Sequence, residues 1–191
     1  MIVLLLGCTQ SLQFEIAGNT AIMTGDLTSS SPDVVARLLE DNPQLEWIEL
    51  LDCPGSTDDA SAYVAARMIR NAGINTRVPA DGDIASGAVD FFIAGVQRDV
   101  LAGGKVGVHS WSDGAIEGSE VSAGDPEHDL YLEFYAEMGI ASDFYWFTLN
   151  AAPSDGLHYM TRDELQQYGL ISFDLFGLTK PRFTNEAVSK F

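Results

Sequence analysis

Ser86 and His109 are the two residues of this chain whose positions best fit nucleophilic chemistry. Ser86 heads an apolar run, Gly87-Ala88-Val89-Asp90-Phe91-Phe92-Ile93-Ala94-Gly95, and His109 closes a strand-like run, Lys105-Val106-Gly107-Val108. A serine hydroxyl becomes nucleophilic at neutral pH only with a base beside it, and imidazole titrates in the right range. A third segment, Asp52-Cys53-Pro54-Gly55-Ser56, ends one apolar stretch and leads into another. Gly55 permits a sharp turn and close approach of a substrate. The N–H groups of Ser56 and Gly87, each read as standing at a helix start, lack an intrahelical acceptor and suit an oxyanion. Nucleophile, base and donors are the minimum parts of an acyl-transfer site. Cys53, beside the turn, is the competing nucleophile. His128, in the charged run Pro126-Glu127-His128-Asp129, reads as solvated, and His158, ahead of a capping motif, reads as structural.

The elements that must position these groups alternate between strand and helix. Residues 12–27 predict two strands around Gly18-Asn19. Ser31-Pro32-Asp33 predicts a helix with Ser31 as N-cap and Pro32 at its first position, ended by Pro43. Residues 47–51 read as a strand, and Ser56-Thr57-Asp58-Asp59 as the start of the next helix, its acids suited to the positive N-terminal end. A strand over 74–78, a helix from Ser86 and a strand into His109 follow. Such alternation with short links implies right-handed crossovers and a mainly parallel sheet. In that arrangement sites gather at the carboxyl ends of the strands, where residues 52–56, the 81–86 loop and His109 all fall. Further on, 111–124 reads as a Gly/Ser/acid-rich loop, 125–140 as one helix and 143–147 as an aromatic one. Thr161-Arg162-Asp163-Glu164 has the form of a capping box, and 170–173 reads as a final strand.

Composition narrows the partners. With 191 residues, 46% of them hydrophobic, the chain is long enough for a substantial core. The 28 acidic residues outnumber 10 basic ones, giving a net charge of −18 with no Lys/Arg cluster, which argues against nucleic acid and anionic membrane surfaces. Two cysteines, Cys8 and Cys53, with no CxxC or Cys/His cluster, argue against zinc; a Cys8–Cys53 disulfide is allowed but not required. The segment Met1-Ile2-Val3-Leu4-Leu5-Leu6-Gly7-Cys8 is too short to span a bilayer and lacks a basic lead. Residues 1–11 are therefore either a buried first strand or the end of a lipoprotein signal in which Cys8 is lipidated and attached to a membrane. Residues 12–191 read as one domain. With a start codon upstream, the expected location is the bacterial cell envelope; otherwise it is the cytoplasm.

Four segments resemble the proteolytic subunit of Clp protease and its crotonase-like superfamily. They are Leu51-Asp52-Cys53-Pro54-Gly55-Ser56, Ala85-Ser86-Gly87-Ala88, Val106-Gly107-Val108-His109 and Tyr168-Gly169-Leu170. The similarity runs roughly over residues 25–172 and is closer still to a group of uncharacterised bacterial secreted or lipoprotein-like relatives, through Val108-His109-Ser110-Trp111. It implies an α/β spiral of βαβ units with a mainly parallel sheet. It also implies a serine hydrolase, foremost a peptidase, with Ser86 as nucleophile, His109 as base and Ser56 and Gly87 as oxyanion donors. Gly55 would lie against the substrate, a peptide or small acyl compound. The nearest match to the family's orienting acid is Asp155, with Asp113 and Asp163 remaining open. No metal, cofactor or coenzyme is implied for such chemistry, and homo-oligomerisation stays open. The chain departs from the pattern in three ways. Ser56 replaces the second glycine of the turn, the segment after Ser86 is one residue shorter, and the axial helices of the protease ring are not recognisable. Two readings of other classes compete: a non-catalytic binding or assembly module that keeps the fold, and an acyl-CoA-processing enzyme, whose phosphate-bearing substrate suits an acidic chain poorly.

Overall fold

The computed structural model describes residues 11–172. The chain opens with an antiparallel hairpin, β1 (Gln13–Ala17) and β2 (Thr20–Thr24), then α1 (Ser31–Asp41), β3 (Trp47–Cys53), α2 (Asp59–Asn71) and β4 (Asn75–Val78). Next come β5 (Asp83–Ala85), α3 (Gly87–Ile93), β6 (Arg98–Val100) and β7 (Lys105–Val108), then α4 (Asp129–Met138), α5 (Ser142–Ala151), β8 (His158–Tyr159) and α6 (Arg162–Gln167). The α/β alternation and mainly parallel sheet are therefore present as expected.

One strand explains the spiral. The first half of β3 pairs in parallel with β4, through Trp47–Asn75 to Glu49–Arg77, and its last residues pair with β5, through Asp52–Asp83 and Cys53–Ile84. From this fork one arm continues in parallel from β4 to β6, and the other from β5 to β7, which β8 borders antiparallel. The chain steps from one arm to the other through Gly82. A Cβ there would sit 2.8 Å from Val78 Cγ1 and 2.9 Å from the Leu50 carbonyl oxygen, so only glycine lets the step pass this close.

The core lies where α2, α3 and α4 meet the sheet. Every residue of α3 is buried, as a helix that is apolar nearly all round requires, and Phe91, Phe92 and Ile93 are fully enclosed. Burying side chains of this size contributes about 1.5–3 kcal/mol each. Tyr63 of α2 stacks on Phe134 of α4 with ring centroids 4.1 Å apart. At the far end of α3 the buried Arg98 guanidinium donates to the carbonyls of Ile93, Gly95, Gly169 and Leu170.

Several boundaries differ from expectation, each for a local reason. Helix α1 begins one residue early: Ser30 is its N-cap, while Ser31 is buried inside the first turn and its hydroxyl accepts the Thr28 N–H. Helix α2 begins at Asp59 with Asp58 capping the Ser61 N–H, because residues 55–57 are held extended against Leu27 by two backbone bonds. The expected helix over 125–140 divides into a 3-10 turn, Pro126–His128, and α4, which Gly139 ends in the left-handed conformation. Residues 170–172 form no strand. There the Gly169 and Leu170 carbonyls turn to Arg98, and the Ser172 N–H donates to the Arg98 carbonyl. Phe173 and Cys8 lie outside the described residues. The capping box at Thr161 forms as read, with Glu164 accepting the Thr161 N–H at 2.7 Å.

Candidate active site

Ser86 stands at the turn from β5 into α3. It is the only non-glycine among the described residues with a positive φ (54°, with ψ −133°). For a residue bearing a Cβ this region costs on the order of 1–3 kcal/mol and persists only where neighbours enforce it. The enforcement is visible. On the strand side the Ser86 N–H is bound by the Gly107 carbonyl at 3.1 Å, and on the helix side the Ser86 carbonyl accepts the Val89 N–H at 2.8 Å. A serine on a strained strand-to-helix turn has its hydroxyl held clear of the helix that follows. Ser86→Gly is therefore expected to unfold at a higher temperature than Ser86→Ala, which keeps the Cβ; about 1 kcal/mol separates them, or some 2–4 °C. Thermal melts of the two variants measure the difference, and equal melting temperatures would remove the claim of strain.

The Pro54-Gly55-Ser56 turn packs directly on this serine. A Cβ on Gly55 would stand 3.0 Å from Ser86 Cβ and 3.5 Å from its Oγ, so glycine leaves the hydroxyl its space. The Ser56 N atom lies 3.2 Å from where a Gly87 Cβ would be. The N–H of Ser56 has no hydrogen-bond partner among the described residues, and no side chain caps the start of α3 at Gly87. Two backbone donors thus flank Ser86, although Ser56 is not at a helix start. It reaches this place because Leu27 holds the turn extended. The Ser56 hydroxyl is taken by Asp59.

His109 follows β7, which runs beside β5, so both residues reach one cavity from adjacent strands at their carboxyl ends. The His109 Nδ1 lies 2.7 Å from the Ser110 carbonyl oxygen. A carbonyl only accepts, so Nδ1 carries the proton and Nε2 is left as the acceptor, the form a base needs. No hydrogen bond joins Asp155, Asp113 or Asp163 to His109. Asp155 is exposed in the turn before β8, Asp113 accepts the N–H groups of Ala115 and Ile116, and Asp163 sits in the first turn of α6. Of the nearby acids, Glu117 is held by Ser154. It accepts the N–H of Ser154 at 3.0 Å and its hydroxyl as well, and these bonds, with His109 close by, hold its carboxyl below the usual range.

Two other sequence readings change. Cys53 is fully buried with its thiol directed at the Met23 carbonyl, and burial and the neighbouring Asp52 push it up to about 12, which leaves little thiolate at neutral pH. His128 is not solvated but fully buried, because the 3-10 turn tucks it beneath aromatic rings. Trp111 Nε1 donates to Tyr145 Oη at 2.8 Å, and Tyr145 Oη lies 2.6 Å from His128 Nδ1. His158 is structural as read, bound to Glu164 at 3.1 Å.

The cavity beside Ser86 is small, about 50 Å3, and opens to solvent. Trp111, Tyr131 and Tyr145 line it as a stack, with neighbouring rings 5.9 and 5.3 Å apart. Asp90 and Asp59 also line it. Asp90 accepts the hydroxyls of Tyr135 at 2.7 Å and Tyr63 at 3.1 Å, and burial pushes its carboxyl up to about 7 despite those bonds. Asp59 accepts the Tyr131 hydroxyl at 3.1 Å. None of these residues entered the sequence reading as part of the site. Only Asp90 offered a signal, as the one charged residue in the apolar run after Ser86. A second, more open cavity, also bordered by His109, is lined by Asp52, Pro54, Leu157 and Tyr159. Among the described residues no group of His, Cys, Asp and Glu is arranged to hold a metal ion, and no helix is long and apolar enough to cross a membrane.

No protein-family model and no curated protein sequence matches the chain. Solved structures do. A membrane-bound stomatin-specific protease, 1510-N, is similar as a point mutant in complex with a substrate peptide, with a TM-score of 0.55, 18% identity, and coverage of 82% of this chain and 75% of that one. A second point mutant of the same protease gives a TM-score of 0.55 at 17% identity, covering 82% and 80%. An enoyl-CoA hydratase from Polaromonas sp. JS666 gives 0.52 at 11% identity, covering 85% and 69%. Identities this low establish the fold, which is that of the ClpP-like proteases and the crotonases.

Proposed function

We propose that this chain is a serine hydrolase of the peptidase type. The observation that carries the reading is the backbone of Ser86, held at φ 54° between β5 and α3 with Gly55 packed against it. Strain of this kind, at a hydroxyl beside a cavity, is the kind that gathers at functional sites. The likeness in fold to a protease seen with a substrate peptide supports the same reading.

In the mechanism, Ser86 Oγ attacks the substrate carbonyl while His109 Nε2 takes its proton. The carbonyl oxygen gains negative charge and is received by the N–H groups of Ser56 and Gly87. His109, now an imidazolium, keeps its Nδ1–H on the Ser110 carbonyl, with the Glu117 carboxylate stabilising the charge from nearby. The proton then passes to the leaving nitrogen, the C–N bond breaks, and an acyl-Ser86 ester remains for water to hydrolyse by the same steps. The orienting partner of His109 in this scheme is a backbone carbonyl, which holds the tautomer without a third titrating group.

A fluorophosphonate probe tests the proposal. Wild-type protein is expected to be labelled at Ser86, Ser86→Ala to stay unlabelled, and His109→Ala to react at least about 100-fold more slowly while remaining folded by circular dichroism. A folded wild type that takes no label would instead favour a non-catalytic module. The acyl-CoA reading is disfavoured by the cavity itself, whose lining holds two carboxylates and no lysine or arginine to meet phosphates.

A further inference from the structure

We infer that the cavity beside Ser86 is a specificity pocket for a positively charged substrate group, an ammonium at the end of an alkyl chain. The inference rests on the hydrolase reading for its meaning but on separate observations for its support. Asp59 and Asp90 both line the cavity, and neither forms an ion pair with any lysine or arginine among the described residues. Their partners are neutral hydroxyls: those of Tyr63 and Tyr135 on Asp90, and those of Tyr131 and Ser56 on Asp59. A carboxylate has about four lone-pair positions, so each retains capacity to accept from a ligand. Asp90 is only 8% exposed and lines this space.

A buried carboxyl without a counter-ion is costly to ionise, and a cation arriving beside it lowers that cost. The cavity supplies the rest of such a ligand's needs. The stacked rings of Trp111, Tyr131 and Tyr145 form a rigid apolar wall for an alkyl stem, whose methylenes gain about 0.8 kcal/mol each on burial. Asp90 sits on α3, four residues after Ser86, and both line this cavity, so a group bound there would lie beside the serine. The only cation-forming side chain in the lining is His109, which the mechanism uses. The excess of acid over base in the whole chain would add a steering field of the same sign.

Binding to the full chain carrying Ser86→Ala, which cannot turn over, tests the pocket apart from the chemistry. The ligands are Nα-acetyl-lysine amide and Nα-acetyl-norleucine amide, which differ only by the ammonium, titrated by calorimetry at pH 8. Lysine amide is expected to bind at least about 10-fold more tightly, and Asp90→Asn and Asp59→Asn, both near-isosteric, should each cut that ratio several-fold. Equal affinity, preference for norleucine, no binding of either at millimolar concentration, or a ratio unmoved by both substitutions would each overturn the inference. Fluorophosphonate labelling of the wild type reports separately on the hydrolase reading, so a selective but unlabelled protein would retain the pocket and lose the enzyme.

Discussion

Gly87→Ala is expected to lower the rate of fluorophosphonate labelling by about 100-fold or more, the cost typical of losing one oxyanion donor. Alanine is ordinarily the better helix former by about 1 kcal/mol, so propensity alone would make this substitution harmless. Close packing decides otherwise. A Cβ at position 87 would meet Ser56 Cβ at 2.5 Å and its hydroxyl oxygen more closely still, with Ser56 N at 3.2 Å. Ser56 cannot turn aside cheaply, because its hydroxyl is bound to Asp59 and its flanking residues are bonded to Leu27. The turn must therefore move as a unit, and it carries one of the two proposed donors with it. Labelling kinetics of the variant, with circular dichroism to confirm the fold, measure the effect. A rate within threefold of wild type would mean that the Ser56 turn has no part in the reaction.

Arg98→Met is expected to destabilise the protein by about 3–5 kcal/mol, lowering its melting temperature by about 10 °C. The guanidinium is buried without a carboxylate partner and is instead satisfied by four carbonyl oxygens at 2.8–3.1 Å. Burial pulls its pKa down to about 10, so it remains charged at neutral pH. Exchanging a buried ion pair for apolar side chains is often neutral, because both charges leave together. Here only the donor leaves, and the carbonyls of Ile93, Gly95, Gly169 and Leu170 stay behind. Two of them close the end of α3 and two belong to the chain after α6, so the loss also unfastens that segment from the helix that follows Ser86. Urea denaturation at pH 7 gives the change directly; a loss below 1 kcal/mol would show that water replaces the guanidinium freely.

The alternation of strands and helices was legible because β3, α1 and α2 are long enough to display their periods. Strands β5 and β6, of three residues each, and β8, of two, are too short for alternation to register. They exist because neighbouring strands offer them partners. The serine, the histidine and the Pro-Gly turn were visible for a different reason: each sits at the end of an apolar run, where a polar residue stands out. The wider site was not visible. Glu117 meets Ser154 across 37 positions, Tyr63 meets Asp90 across 27, and His128 meets Tyr145 across 17. Contacts at such separations leave no mark in a local pattern. The resemblance points to Asp155, with Asp113 and Asp163 open, as the orienting acid. Sequence position does not report where a loop places a carboxylate once the chain folds, and none of the three is hydrogen-bonded to His109.

By itself, then, the amino-acid order determined the layered α/β architecture, the apolar identity of α3 and the presence of a serine, a histidine and a glycine turn at strand ends. These follow from side-chain periodicity and from the few residues able to make sharp turns, both local properties of the chain. The tertiary structure alone decided that Ser86 is held at a positive φ between β5 and α3, and that the Ser56 N–H stands without a partner among the described residues on an extended turn and not at a helix start. It also decided that Glu117 is bound by Ser154, and that two carboxylates with no cationic partner among the described residues line the cavity. Those features depend on how strands stack and which distant groups meet in a medium of low polarity. There, an unmatched charge or a misplaced Cβ costs kilocalories that no local preference can offset.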